Sequence, residues 1–330
     1  MNNFFNNILA VLANLFGSKP SQSQISANPA PAVIVSPRVL VIVIDPVIDP
    51  ASGETLTQRM KWNRPDDLIS TFIADMSSAS NGMANYQIVQ RIEVNDFPVK
   101  ADGFRYTPET YLNVLKGNPA HEPDLIDYQD FLKRHQILEL VSSNQIDEVW
   151  AFGFPYNGFY ESTMGGPGAF FCNSNPIPNT SNSRRRFVIM GFSNERGVGE
   201  MLHSFGHRAE SIMQRVYLRT TGSANLWQRF TRYDQTAPGQ AEVGTVHFPP
   251  NGERDYDYTN PRVVVSCCED WYKFPNLQGV MKQVNHTEWG DDIYTYTMWW
   301  LKHLPKVHGH TNGIANNWWQ YILDPNRVRV

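Results

Sequence analysis

The chain has 330 residues, with 28 Lys and Arg against 32 Asp and Glu and a formal net charge of −4. Apolar residues make up 41% and charged residues only 18%, so a large core is available and no basic field favours nucleic acid or an anionic membrane. Cys267 and Cys268 are adjacent and Cys172 is remote; one long-range disulfide fits, but an odd count without a spacing pattern argues against a disulfide framework, and no CxxC pair suggests a zinc knuckle or redox site.

In chain order, residues 1–17 place Phe4, Phe5, Ile8, Leu9, Leu12, Leu15 and Phe16 at helical spacing between asparagines. This predicts an amphipathic helix too short to span a bilayer. No Lys or Arg precedes Lys19, unlike the basic start of a secretory signal. An atypical export signal, a helix docking on a membrane surface or partner protein, and a frayed terminus all fit. The low-charge, Asn- and Trp-rich body tilts the reading toward export, hence an extracellular or cell-envelope location, with the cytoplasm as the alternative. Residues 18–37, rich in Ser, Pro and Ala, read as a flexible linker, and residues 38–330 as a single domain.

The body opens on the aliphatic run Val39–Ile44, the pattern of a strand covered on both faces. Pro65-Asp66-Asp67 begins a helix, Tyr86–Val94 alternates as a second strand, and Thr107-Pro108 pairs an N-cap with proline at the first helical position. Asp124–Val141 predicts one long amphipathic helix. Strands follow at Ile146–Phe152 and Arg186–Phe192, with shorter ones near Val243–His247 and Arg262–Ser266. Arg184-Arg185-Arg186 reads as a solvated strand entrance. The alternation predicts an α/β fold with a mostly parallel central sheet flanked by helices and a loop-rich C-terminal part.

Such sheets carry their sites on loops at the carboxyl ends of the strands. The loop after the third strand holds Glu161, and the loop after the fourth holds Glu195 before opening a helix. On that helix Met201, Leu202, Phe205, Ala209, Ile212 and Met213 share one face, while Glu200, His203, His207 and Glu210 fall opposite. Imidazoles at i and i+4 can coordinate one ion, and neighbouring carboxylates can orient them or move protons. The same stripe also fits a solvated helix face or a buried polar network. His247, ending an expected strand before a stiff Pro-rich loop, is the candidate third ligand, with Asp255 and Asp257 close behind. Candidate catalytic residues are thus Glu200, Glu210, Glu161 and Glu195, and candidate ligands of zinc or another divalent metal are His203, His207 and His247.

His203-Ser204-Phe205-Gly206-His207 resembles the HExxH helix of zinc peptidases, including the glycine before the second His. Ser204 stands where that motif has its general-base Glu, so the resemblance implies the two metal ligands and leaves the proton to Glu200 or Glu210. The strings DEVWAFGFPYNGFYES, RRFVIMGFSNERGVGEML and FGHRAESIM are similar to a family of uncharacterised bacterial proteins, which implies a shared fold and no activity.

Other chemistry is weaker. His308-Gly309-His310 is a second potential metal pair, and Cys172 beside a glycine-rich loop reads as a thiol nucleophile or a structural cysteine. Trp299-Trp300 and Trp318-Trp319 could stack on sugar rings or fill the core. No Walker loop, GxGxxG or GxSxG is present. The leading expectation is an exported metal-dependent hydrolase acting on a peptide or glycan. The alternatives are a non-catalytic cell-surface carbohydrate- or protein-binding protein, and a structural or cargo protein docked through its N-terminal helix.

Overall fold

Aliphatic residues from Val39 to Ile44, all essentially inaccessible to solvent, form the strand around which the sheet is built. The computed structural model describes residues 33–329; the amphipathic segment and most of the expected linker lie outside them. Strand β1 (Arg38–Ile44) is followed by a small hairpin, β2 (Val47–Asp49) and β3 (Glu54–Thr55), then helices α1 (Leu56–Met60) and α2 (Pro65–Ala79). Strand β4 (Gln87–Val94) precedes α3 (Pro108–Leu115), α4 (Tyr128–Arg134) and α5 (Ile137–Ser142). Strands β5 (Glu148–Gly153), β6 (Ser162–Gly165) and β7 (Phe187–Ser193) complete a five-stranded sheet of order β4-β1-β5-β7-β6. β4, β1, β5 and β7 are parallel, and β6 runs antiparallel on the β7 edge. This is the mostly parallel, helix-flanked sheet expected. The ladder begins earlier than expected: Val35, assigned to the linker, donates its N–H to Met83 O at 2.9 Å.

Side chains alternate across the sheet with period two. Val39, Val41, Val43, Trp150, Phe152, Val188 and Met190 face α2 and the long helix α6 (Val198–Val216), while Leu40, Ile42, Val149, Ala151 and Ile189 face the layer of α3 to α5. β4 is an exposed edge strand, and its Gln87, Gln90, Arg91 and Glu93 discourage pairing with another chain. Thr107 caps α3 as expected, accepting from Thr110 N with Pro108 next in line.

Two element predictions are corrected. The single helix over Asp124–Val141 is broken: Asp127 caps α4 through bonds from Gln129 N and Asp130 N, and Gln136, at φ 52°, separates α4 from α5. The strand at Val243–His247 is instead a tight turn. Gly244 has φ +86°, a Cβ there would lie 2.2 Å from Phe248 O, and Thr245 N donates to that same carbonyl. The neighbouring prediction is met in shorter form by β8 (Val264–Ser266), which pairs with β9 (Lys282–Val284). Beyond α6 the chain adds α7 (Leu226–Phe230), α8 (Ile293–His303), the ribbon β10–β11 (Lys306–Thr311, Ile314–Asn317) and α9 (Trp319–Leu323).

Trp300, Trp318 and Trp319 are completely buried in this part, so they are core and present no sugar-stacking surface. Arg186 is buried as well and donates to Val328 O at 2.8 Å, anchoring the C-terminal segment, whereas Arg184 of the same basic run is exposed at the strand entrance as expected. The three cysteines are free and buried, and burial raises Cys172 to about 11, which keeps it a thiol and not a nucleophile. Among the described residues no helix is long and apolar enough to cross a membrane.

Lys306, at the start of β10, donates to Ala79 O and Lys302 O at 2.9 and 2.6 Å, and burial together with Lys302 lowers it from 10.5 to about 8. Between those values the unfolded chain holds more protons than the native one, so stability rises with pH in that window. Relative to wild type, Lys306→Met should be more stable at pH 7 by about 1–3 kcal/mol, the advantage fading towards pH 10.5; urea melts at pH 7 and 10 measure it.

Candidate metal centre

Helix α6 leaves the carboxyl end of β7 and packs its Met201–Leu202–Phe205–Ala209–Ile212–Met213 face into the core beneath the sheet. Its opposite stripe is not solvated. His203 is only 4% exposed, His207 and Glu210 are half-buried, and the turn carrying Val246 and His247 closes over them. Gly206 makes that approach possible: a Cβ at this position would lie 2.7 Å from Val246 Cγ2. Gly206→Ala should therefore push the His247 turn off the helix and weaken divalent-ion binding at least tenfold, an effect within the range of perturbed ligand-supporting residues. Competitive chelator titration tests this, and an unchanged affinity would refute it.

The three imidazoles converge. His207 Nε2 lies 3.0 Å from both His203 Nε2 and His247 Nε2. Zinc–nitrogen bonds of about 2.0–2.1 Å in tetrahedral geometry put ligand nitrogens roughly 3.3 Å apart, so the two separations that meet at His207 need widen only slightly to take an ion. Two of the other ring nitrogens are braced from behind. Glu210 Oε2 sits 3.0 Å from His207 Nδ1 while its Oε1 accepts from Val246 N at 2.9 Å, and Asp255 Oδ1 lies 3.2 Å from His247 Nδ1. The carboxylates behind His207 and His247 favour the Nδ1–H tautomer there and turn a bare Nε2 lone pair inward, as metal sites require, whereas His203 Nδ1 is buried without a partner.

That arrangement constrains the charge. With Nδ1–H on both rings, the His207–His247 contact sets two lone pairs 3.0 Å apart, which is repulsive unless a positive charge lies between them. Burial, followed by its two His neighbours, pushes His203 down to about 3, so this ring does not supply the charge. Burial also opposes protonation of His207, but the bond to Glu210 and the Glu161 charge outweigh it and raise its pKa. A proton on His207 or a cation among the three nitrogens would relieve that repulsion. The all-imidazole donor set suits zinc and its neighbours in the transition series.

A cavity of about 570 Å³ opens beside the triad at the carboxyl ends of β5 and β7, lined in part by Phe159, Glu161, Glu195, His203 and Tyr256. The four sequence-predicted carboxylates separate by role. Glu210 orients His207. Glu200 accepts from Gly197 N at 3.1 Å and is occupied in capping α6. Glu195 is exposed and pairs with Arg196 at 3.8 Å. Glu161 is half-buried, accepts from Asn173 Nδ2 at 2.7 Å through one oxygen, and acts electrostatically on both His207 and Tyr256. Asp257 serves its own turn by bonding Glu253 N and Asn260. His308 and His310 are exposed on β10 and belong to neither cluster of potential metal donors found among the described residues. The second cluster, Cys268, Glu269 and His303, has a cation of the chain's own close by, since Lys282 Nζ lies 3.0 Å from Glu269.

Three features escaped the sequence reading. Arg208, fully buried, lies 2.8 Å from Glu148, which also accepts from Trp150 Nε1. Both charges interrupt apolar patterns, Arg208 in the core stripe of α6 and Glu148 in β5, and those paired interruptions were the available signal. Lys100, also fully buried, donates to Asp124 O and Tyr156 O at 2.6 Å and to Asp124 Oδ1, pinning the loop after β5. Tyr256 sits at φ 60° with its ring 4.5 Å from that of His247, for which the sequence carried no signal.

No protein-family model, no curated protein and no solved structure matches this chain.

Proposed function

We infer that the chain is a metal-dependent hydrolase whose ion is held by His203, His207 and His247. One observation carries this reading: three ring nitrogens from two segments far apart in sequence meet within 4.8 Å of one another, two of them backed by carboxylates. A divalent ion in such a site lowers the pKa of bound water toward neutrality and polarises a substrate carbonyl. Three protein ligands leave a position open to water, the pattern of catalytic rather than structural zinc. Glu161 is the carboxylate best placed to take the proton of that water, because Glu210 and Glu200 are already committed to His207 and to the helix start. Tyr256 keeps its phenolic proton, raised by burial and then by Glu161 and Asp255, and can donate to developing negative charge.

Zinc-loaded protein should hydrolyse an activated acyl ester. Glu161→Gln should lower kcat at least a hundredfold, in keeping with loss of a general base, while retaining one ion per chain. Loss of the ion along with the rate would make Glu161 a ligand or a structural residue, and an unaffected rate would remove it from the chemistry. The non-catalytic binding reading draws on the tryptophan-rich end together with the loop after the third expected strand; Trp300, Trp318 and Trp319 are buried, whereas that loop lines the histidine cavity. The docking reading concerns residues outside those described.

A further inference from the structure

Two residues set the wall of the histidine cavity apart from the rest of the fold. Among the described residues nine non-glycine residues have positive φ; six are Asn or Gln, one is Lys, and the remaining two are Tyr156 and Tyr256. Bulky residues avoid this region of backbone space, and where they occupy it they cluster at functional sites. Both tyrosines line the same cavity as His203, and both leave large rings in solvent, 46% and 53% exposed. Each conformation is imposed from outside. The buried ammonium of Lys100 holds Tyr156 through its carbonyl at 2.6 Å, and Tyr256 N donates to the carbonyl of His247 at 3.1 Å. Two segments are therefore held in unfavourable backbone geometry with the result that two tyrosine rings stand exposed beside a metal centre.

The rest of the wall is polar. Ser193 lines the cavity with its buried Oγ lacking a hydrogen-bond partner, and Asp124, Asn157 and Arg196 also contribute. Flat apolar faces interleaved with hydroxyl, amide and charged groups suit a pyranose, which presents C–H groups on its faces and hydroxyls at its edge. One recurring mode of peptide recognition instead adds an extended peptide to free backbone groups on a strand edge. The edge nearest the site is β6, and it is closed: Ser162 O accepts from Ser174 Oγ at 3.1 Å and Met164 O from Ile177 N at 2.9 Å. Among the hydrolysable bonds of a glycan, the glycosidic bond calls for two carboxylates flanking it. Here Glu161, which acts electrostatically on His207, is engaged neither in orienting a ligand nor in capping the helix, and a single metal-activated water acts on a carbonyl carbon.

Resting on the hydrolase reading, we propose that Tyr156 and Tyr256 clamp a pyranose ring bearing an acetyl group, so that the substrate class is an acetylated glycan. Water adds to the acetyl carbonyl carbon and gives up a proton to Glu161. The bond from that carbon to the sugar nitrogen or oxygen then breaks, and the proton passes to the departing amine or alcohol, releasing acetate.

The test compares four ligands on the full-length zinc-loaded protein by calorimetry: an N-acetylated oligosaccharide, an O-acetylated one, their deacetylated counterpart, and a capped tripeptide. At least one acetylated sugar should bind and release acetate, the two arms showing whether the amide or the ester is cleaved. Tyr156→Gly and Tyr256→Gly should weaken that binding at least tenfold with one zinc per chain retained. Because glycine relieves the positive φ, their Tm should hold or rise; a fall would mark the tyrosines as structural and overturn the clamp. Preferential binding of the tripeptide, or sugar binding unchanged in both variants, would also overturn it. Zinc content is read separately on wild type. A metal-free wild-type protein defeats the hydrolase reading, whereas zinc-loaded protein that ignores every acetylated sugar defeats only the substrate class.

Discussion

His203→Ala is expected to abolish stoichiometric retention of a divalent ion, and His207→Ala to do the same, while His308→Ala leaves it intact. The expectation follows from convergence: His207 Nε2 stands 3.0 Å from each of the other two ring nitrogens, and two remaining imidazoles do not make a closed-side zinc site. His308 lies exposed on the β10–β11 ribbon and belongs to no such cluster. The supporting carboxylates should show a graded effect, with Glu210→Ala and Asp255→Ala weakening binding roughly 10- to 100-fold without eliminating it. Glu210 should be the more severe of the two, because it braces His207 and the Val246 amide together, whereas Asp255 is largely exposed, 63% by side chain. Metal content after dialysis, with folding checked by circular dichroism, decides the matter. Wild-type protein that retains no ion, or His203→Ala protein that retains one, would end the metal-centre reading.

The largest loss of stability should come from Arg208→Met. Its guanidinium is fully buried 2.8 Å from Glu148, itself 2% exposed by side chain, and its Nε donates to Ile322 O at 3.1 Å. Removing one partner of a buried pair strands the other charge in the core at a cost of about 3–5 kcal/mol, a Tm drop of roughly 10 °C for a domain of this size. The double variant Arg208→Met/Glu148→Gln should recover much of that loss, because it removes the stranded charge along with its partner. Failure of the double variant to recover would mean that packing or the Ile322 bond, and not the ion pair, dominates. Since Arg208 follows His207 directly and Glu148 opens β5, this pair also ties the ligand-bearing helix to the sheet.

The sheet was legible because its cause is local. Runs such as Val39–Ile44 can be buried only between two layers, and Thr107-Pro108 satisfies the orphan amides of a helix start without reference to the rest of the chain. The i, i+4 spacing of His203 and His207 and their position opposite the apolar stripe of α6 are equally a matter of helical geometry. Whether that stripe faced water was not local. The answer depended on the Val246–His247 turn folding back across Gly206, a contact between segments some 40 residues apart. For the same reason the sequence nominated four carboxylates without ranking them, since capping, ligand orientation and a free oxygen differ only in what each side chain meets. The break at Gln136, the turn at Gly244 and the strained tyrosines were decided by tertiary contacts that override local preference. Residue types and their periodicity determined the layers and one face of the centre; the tertiary structure decided which third histidine completes it, because convergence of ring nitrogens depends on distances between segments that no one-dimensional pattern encodes.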